Sequence, residues 1–157
     1  MGEVVLYHGS KEAVEFPRIR VARYSKNFYY GFYCTLHPEQ AKRRARRFSG
    51  KGMVSEYLHA PCEALRVKRF PGMTEEWLDF IVACRQGVAH DYDIVEGPMT
   101  DDAVFNYVEV FASGKISREA FWALAASGRL SRQISFHTAR ALASLRFLRS
   151  YEVENEG

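Results

Sequence analysis

Apolar and polar positions along the chain alternate in a way that predicts short strands separated by helices. Residues 4–7 form a β-branched, apolar run typical of a buried strand. Residues 64–70 alternate, with Leu65 and Val67 on one side and Arg66 and Lys68 on the other. Further strands are predicted at residues 28–35, 53–58, 91–95 and 131–136. Gly97 and Pro98 are expected to end the strand at 91–95.

Four helices are predicted in the remaining segments, and start signals precede the first three. Pro38 is expected to begin a helix that ends near residue 48, and Thr74 and Ser117 are expected to cap the next two. The last helix is predicted over residues 138–147, with Leu142 and Leu145 on its buried side. The apolar stripes are Ala41, Ala45 and Phe48 in the first helix, and Trp77, Ile81 and Cys84 in the second.

These elements predict an α+β fold, because strands and helices follow in irregular order rather than in strict alternation. We expect residues 1–150 to form a single domain, and residues 151–157 to form a flexible, polar tail. Residues 11–27 lack a sustained period and are predicted to be a loop. The run around Glu109 has an unclear period and is predicted as either strand or helix.

Composition narrows the functional classes. The net charge is +3 in 157 residues, which is too small by itself to indicate a nucleic-acid-binding protein. The chain contains three cysteines, without a C-x-x-C pair, and shows no histidine spacing typical of zinc, so no disulfide framework and no metal are expected. Neither a signal peptide nor a membrane span is visible, so a cytoplasmic location is expected.

Two charged segments leave alternatives open. The basic residues of 39–48 are most often a solvated helix face, but they could also bind nucleic acid, an acidic partner or a pyrophosphate. Asp101 and Asp102 follow Gly97 and Pro98, and they form either an ordinary turn and helix cap or a loop near a substrate.

Two short motifs carry the candidate chemistry. Tyr7-His8-Gly9-Ser10 ends the first predicted strand, and Gly31-Phe32-Tyr33-Cys34-Thr35 ends the second. A glycine inside a strand often marks a bulge or a close approach of a ligand to the backbone. Since neighbouring strand residues face opposite ways, Cys34 points away from any pocket that Tyr33 lines, and we do not expect it to be a nucleophile.

Together, the two motifs resemble the NAD-binding core of diphtheria-toxin-like ADP-ribosyltransferases of the His-Tyr-Glu branch. Over nearly the whole chain, the closer resemblance is to a bacterial family known as DUF3990. Its pattern continues in separated motifs: Gln40-Ala41, Trp77-Leu78-Asp79-Phe80-Ile81 with Arg85, Tyr92-Asp93-Ile94-Val95 with Gly97-Pro98 and Asp101-Asp102, and Gln133-Ile134-Ser135-Phe136 with Thr138.

The resemblance implies a split-sheet ADP-ribosyltransferase fold and the use of NAD as a substrate. It implies that His8, Tyr33 and Gln133 are catalytic: His8 would bind a ribose hydroxyl, Tyr33 would stack on nicotinamide, and Gln133 would occupy the third catalytic position. The remaining cofactor-binding positions that it implies are Gly9, Ser10, Gly31, Phe32, Thr35 and Arg44. Gly9 would offer its backbone to the carboxamide.

This chain departs from the better-known enzymes at two positions. The third catalytic residue is usually Glu, whereas Gln133 is neutral, so transfer of a single ADP-ribose is expected rather than polymer elongation. Arg44 stands near the place where a second stacking aromatic is expected, and Phe48 is the nearest aromatic. Glu109 is the competing acid and ranks below Gln133.

The expected function is that of a mono-ADP-ribosyltransferase acting on an unknown acceptor. By family analogy it could be an intracellular bacterial toxin or effector with an antitoxin-like partner. Two alternatives stay open: a catalytically inactive NAD- or nucleotide-binding module, and a nucleic-acid-interacting protein that uses the basic helix 39–48.

Overall fold

The computed structural model describes residues 3–19, 28–48, 50–99, 102–126 and 131–154. The fold is mixed α+β, as the sequence predicts. In chain order the elements are β1 (Val4–Ser10), β2 (Phe32–Cys34), α1 (Pro38–Ala45), β3 (Lys51–His59), β4 (Val67–Arg69), α2 (Glu75–Arg85), β5 (Ile94–Met99), α3 (Asp102–Ala112), α4 (Arg118–Ala125), β6 (Ser131–Phe136), α5 (Ala139–Leu142) and β7 (Leu145–Glu154).

The described strands form two sheets. The first has the order β1-β3-β7 and is antiparallel. The second has the order β2-β6-β5-β4, in which only the β4–β5 pair is parallel. An isolated bridge between Tyr7 and Thr35 joins β1 to the chain just after β2. The two motifs of the sequence analysis are therefore neighbours in space, although 25 residues separate His8 from Tyr33.

Three apolar clusters hold the two sheets and the helices together. Between the sheets, Leu6 and Tyr57 of the first pack with Phe32, Ile94, Ile134 and Phe136 of the second. The opposite face of the second sheet packs on helices α2, α3 and α4, through Trp77, Ile81, Val108 and Phe121 among others. Helix α1 covers the outer face of the first sheet, where Ala41 and Ala45 pack against Val54 and Val153.

Several helix boundaries follow the sequence signals. The hydroxyl of Thr74 accepts a hydrogen bond from the amide of Trp77 and caps α2, and Ser117 caps α4 in the same way through Ala120. The predicted stripe of Trp77, Ile81 and Cys84 is buried. The run around Glu109 is helical and lies in α3. Gly128, which the sequence suggests as the end of α4, lies outside the described residues.

The end of the chain corrects two predictions. The helix predicted over residues 138–147 is only the four-residue α5, because Leu145 already pairs with His59 in β3. The predicted tail is also wrong for residues 151–154, which continue β7 and pair with residues 51–54, and Val153 is buried. Backbone pairing with β3 outweighs the polar composition of this segment.

Three strands also differ from the prediction in their boundaries. Gly97 and Pro98 lie inside β5 instead of ending it. Pro98 is tolerated because β4 pairs only with Ile94–Glu96, so no neighbouring strand on that side needs its missing N–H. The strand predicted over 28–35 is reduced to β2, since residues 28–30 form a turn in which Tyr29 has a positive φ of 81°. The predicted strand at 64–70 is likewise shorter, at Val67–Arg69.

Within the described residues, no helix has the length and apolar character needed to cross a membrane.

Candidate functional site

The first motif contacts the second directly through His8. Its Nδ1–H donates a hydrogen bond of 2.6 Å to the backbone carbonyl of Tyr33. The imidazole stacks on the ring of Phe32, with ring centroids 4.3 Å apart and an angle of 29° between the planes. Phe32 is itself buried and packs between the two sheets. The Phe32 ring therefore supports His8, and its other face is not open to a ligand in this structure.

Tyr33 lies on the other face of the second sheet. Its ring packs against the cluster formed with helices α2, α3 and α4. Its hydroxyl donates to the carbonyl of Tyr29 at 2.5 Å and accepts from the amide of Phe28 at 3.0 Å, so it holds the turn that precedes β2. Burial raises the pKa of the Tyr33 phenol well above its usual range. The phenol is thus a neutral donor at physiological pH.

Gln133 shares this face with Tyr33. Its neighbours in sequence on β6 belong to the opposite face, since Ile134 packs between the sheets. Ser135 pairs with Tyr33 across the β2–β6 ladder, and Gln133 pairs with Gly97 across the β6–β5 ladder. The Gln133 side chain is 3% exposed, and its Nε2 has no hydrogen-bond partner in the described part of the chain. An orphaned buried donor of this kind calls for an explanation.

The structure therefore brings Tyr33 and Gln133 to one face and holds His8 on the other. The imidazole of His8 lies with Phe32 on the side between the sheets, while the Tyr33 ring lies on the helix side. A hydrogen bond to the backbone carbonyl of Tyr33 links His8 to that residue. The sequence could not reveal this, because the relative facing of two strands depends on the register set by the Tyr7–Thr35 bridge.

The two motif glycines have packing reasons for lacking a side chain. A Cβ on Gly9 would collide with the carbonyl oxygen of Ala41 and would stand 3.1 Å from the amide nitrogen of Ala45. A Cβ on Gly31 would stand 2.8 Å from both the Phe136 carbonyl oxygen and His137 Nδ1. The close approach expected at these positions is made by the protein's own backbone and side chains.

The remaining predicted positions are placed around the β2–α1 connection. The hydroxyl of Thr35 donates to Gln40 Oε1 at 2.6 Å and accepts from the amide of His37, so it anchors the start of α1. Ser10 donates to the carbonyl of Glu12. Arg44 lies in the last turn of α1 with an exposed side chain. Phe48 follows the helix and is half-buried.

Glu109 is committed to an ion pair across the helices. Its carboxylate lies 3.2 Å from the guanidinium of Arg85, whose side chain is only 4% exposed. Burial lowers the pKa of Arg85, while Glu109 acts in the opposite direction. The competing acid of the sequence analysis therefore serves to neutralise a buried cation between α2 and α3. Asp101 lies outside the described residues, and α3 begins at Asp102.

Two histidines that the sequence analysis assigned no role hold the turn before β2. His137 Nδ1–H donates to the carbonyl of Tyr30 at 2.8 Å, and His90 Nε2–H donates to the carbonyl of Phe28 at 2.8 Å. The rings of the two histidines are 4.4 Å apart in an edge-to-face arrangement. Only the fold shows this role, since His90 and His137 are distant from the turn in sequence.

Asp93 is a second residue whose importance only the structure shows. Its buried carboxylate accepts hydrogen bonds from Thr138, from the backbone of Arg66 and, through both oxygens, from Arg140. The bonds from Arg140 and Thr138 lower the pKa of Asp93 well below its usual range, against the opposing effect of burial. This carboxylate ties the start of β5 to α5 and so fixes the end of β6. Among the described residues, no group of three His, Cys, Asp or Glu side chains is placed to hold a metal ion.

Comparison with protein families finds a match to the family described as "Protein of unknown function (DUF3990)", over residues 4–147. No curated protein matches the chain.

Proposed function

The chain belongs to the DUF3990 family, and we propose that it is a mono-ADP-ribosyltransferase that cleaves NAD and transfers ADP-ribose to an acceptor. The proposal includes a split-sheet ADP-ribosyltransferase architecture for the two sheets. It takes Tyr33 and Gln133 as the residues that contact NAD, and His8 as the residue that fixes the backbone of Tyr33. The family match covers 4–147, a range that includes all three residues.

One observation carries the proposal: the unpartnered amide of Gln133. A buried donor without a partner costs about 1–3 kcal/mol, so it calls for an explanation, and the one we propose is a ligand that supplies the missing acceptor. A ribose hydroxyl oxygen is such an acceptor. Gln133 lies on the same face of the second sheet as Tyr33. It is two residues from Ser135, which pairs with Tyr33 across the β2–β6 ladder, so one ligand could contact the side chains of both Gln133 and Tyr33.

The chemistry requires little beyond placement and electrostatics. The bond between the nicotinamide nitrogen and the ribose carbon breaks, nicotinamide leaves with the bonding electrons, and the acceptor forms the new bond and loses a proton. Positive charge develops on the ribose carbon as the bond breaks. The neutral Gln133 amide holds a ribose hydroxyl in position but adds no negative charge, so slow transfer of a single ADP-ribose fits this residue better than elongation.

Binding of NAD at Gln133 requires a movement of the protein. Gln133 is almost fully covered in the structure, so NAD reaches its amide only if covering side chains move on binding. Protection of the β6 amides from hydrogen exchange should therefore change when NAD is added. A bacterial toxin or effector role, with an antitoxin-like partner, belongs to the same proposal and rests on family analogy alone.

The test combines a binding assay with a product assay. Millimolar NAD should raise the melting temperature, and nicotinamide should be released in the presence of a bacterial lysate that supplies acceptors. His8→Ala and Tyr33→Ala should abolish the melting shift. His37→Ala and Tyr151→Ala are the matched controls and should keep it, because His37 makes no side-chain capping bond at α1 and Tyr151 lies on β7. Absence of both the shift and nicotinamide release in the wild type would refute the proposal.

A second candidate is a catalytically inactive module that binds NAD or another nucleotide. The neutral Gln133 favours it, since the position lacks the carboxylate of the better-known enzymes. A melting shift without nicotinamide release identifies this case. In such an inactive parent, a large gain of turnover in Gln133→Glu indicates a lost catalytic acid. If the parent is active instead, a loss of activity in Gln133→Glu shows that Gln133 is the working residue.

A further inference from the structure

A cavity of about 450 Å³ lies beyond the end of β6, on the far side of the turn that precedes β2. This volume is within the range of small-ligand sites. Its lining includes three tyrosines, two histidines and one carboxylate: Tyr29, Tyr30, Tyr92, His90, His137 and Asp91. None of these is a residue that the proposed NAD chemistry uses.

Most of the described lining residues carry an aromatic ring, and these rings pack against one another. The rings of Tyr29 and Tyr30 are 4.7 Å apart, and the ring of His90 lies 5.6 Å from that of Tyr92. His137 stands edge-to-face against His90. Aromatic faces carry a negative quadrupole, so a concave wall of this kind attracts cations.

The two histidines add no positive charge at neutral pH. His137 donates through Nδ1 to the Tyr30 carbonyl and accepts at Nε2 from the Ser135 hydroxyl at 2.6 Å. His90 accepts at Nδ1 from the amide of Tyr92 and donates through Nε2 to the Phe28 carbonyl. Burial lowers the pKa of both rings, that of His137 to about 4. Every ring nitrogen is already in a hydrogen bond, so neither imidazole offers a free edge to a nucleobase.

Asp91 supplies the charge at the rim. Among the described lining residues it is the charged one, and its side chain is 74% exposed. It is bonded to the guanidinium of Arg66, whose central carbon also lies 5.5 Å above the centre of the Tyr92 ring. The protein's own guanidinium thus uses the same two partners, a carboxylate and an aromatic face, that the cavity presents.

We propose that this cavity binds the guanidinium group of a ligand, in contact with the tyrosine side chains that line it and paired with Asp91. The arrangement matches this planar cation in two ways: flat aromatic faces for stacking and a carboxylate for paired N–H donors. Arg66 competes for Asp91 and tunes the affinity. The guanidinium site does not rest on the proposed use of NAD, so its failure would not refute the proposed transfer reaction.

The experiment measures binding by titration calorimetry to the full chain. Nα-acetyl-arginine amide should bind about tenfold more tightly than Nα-acetyl-citrulline amide, its neutral isostere. Agmatine serves as the small-molecule source of the same group. Tighter binding of either guanidinium probe than of the citrulline probe supports the proposal, and the tighter of the two guanidinium probes identifies the source. Equal affinity for the arginine and citrulline probes, or tighter binding of adenosine than of both guanidinium probes, overturns it.

Two variants and a matched control test the assignment of residues. Asp91→Asn should weaken guanidinium binding by about fivefold, since an exposed ion pair is worth up to about 1 kcal/mol. Arg66→Met should strengthen binding by releasing Asp91. Arg118→Met is the control, because Arg118 also lies over an aromatic ring, that of Phe111, and is paired with carboxylates, but on a different face of the protein. Unchanged binding in Asp91→Asn would contradict the proposal.

Discussion

Replacing Gln133 by methionine separates stability from ligand binding at the candidate site. Methionine has nearly the same length and volume as glutamine but carries neither a donor nor an acceptor of comparable strength. The substitution removes a buried Nε2 that has no partner in the described part of the chain. We therefore expect Gln133→Met to stabilise the unliganded protein and to abolish the response to NAD.

The magnitude follows from the cost of the unpaired donor. Leaving a buried donor unsatisfied costs about 1–3 kcal/mol, so removing it should raise the free energy of unfolding by about that amount. For a chain of this size, each kcal/mol corresponds to a rise of about 2–4 °C in the melting temperature. The surrounding layer is apolar: a Cβ on Gly97, which pairs with Gln133, would meet Phe28 and Phe70 at 3.2 Å. A thioether suits these neighbours.

Denaturant unfolding without NAD measures the change in the free energy of unfolding. The control is a glutamine whose side chain has a hydrogen-bond partner. Gln40 accepts a 2.6 Å hydrogen bond from Thr35, so Gln40→Met should destabilise by about 0.5–1.5 kcal/mol. The two substitutions are chemically identical and should have opposite signs. Destabilisation of Gln133→Met by more than about 1 kcal/mol would refute the reasoning, because it would mean that the Gln133 amide is satisfied in solution.

Three further predictions concern stability and the basic helix. Gly9→Ala should destabilise by about 1–3 kcal/mol or more, because its Cβ collides with the backbone of Ala41; a melting temperature equal to that of the wild type would show that α1 yields freely. Asp93→Asn should cost about 2 kcal/mol at neutral pH by weakening the bonds to Arg140. Folding lowers the pKa of Asp93, so its contribution to the free energy of unfolding is complete above the unfolded pKa of about 3.9. That contribution is lost as the pH falls toward the pKa of the folded state. The difference in stability between wild type and Asp93→Asn should therefore shrink as the pH is lowered. If the exposed side of α1 binds nucleic acid, affinity for a mixed RNA probe should fall steeply with salt and decrease in Arg43→Ala; binding that is indifferent to both would remove this alternative.

Helix caps and hydrophobic periodicity correctly predicted elements whose ends depend on nearby residues in the sequence. Strand β6 spans Ser131–Phe136 as expected, and α2 begins after the Thr74 cap because the hydroxyl satisfies the amide of Trp77. The apolar stripe of Trp77 and Ile81 is buried, as a helical period requires. These features depend on residues within one turn or one strand, so a sequence suffices to find them.

Local sequence patterns did not predict the features that depend on pairing between distant segments. The sequence predicts a helix over residues 138–147 and a polar tail from residue 151, yet Leu145–Glu154 forms β7 because it pairs with the edge of β3. In the candidate site, the sequence placed His8 and Tyr33 in adjacent motifs but could not show that their side chains face opposite ways. The turn before β2 is held by His90 and His137 through contacts between segments distant in sequence, which no local pattern predicts.

A crystal structure of the protein soaked or grown with NAD tests whether Gln133 and Tyr33 bind this ligand. We predict that the Gln133 side-chain nitrogen lies within hydrogen-bond distance, about 3 Å, of a ribose hydroxyl oxygen, with Tyr33 in contact with the same ligand. NAD bound elsewhere, with the Gln133 amide still buried and unpaired, would contradict it.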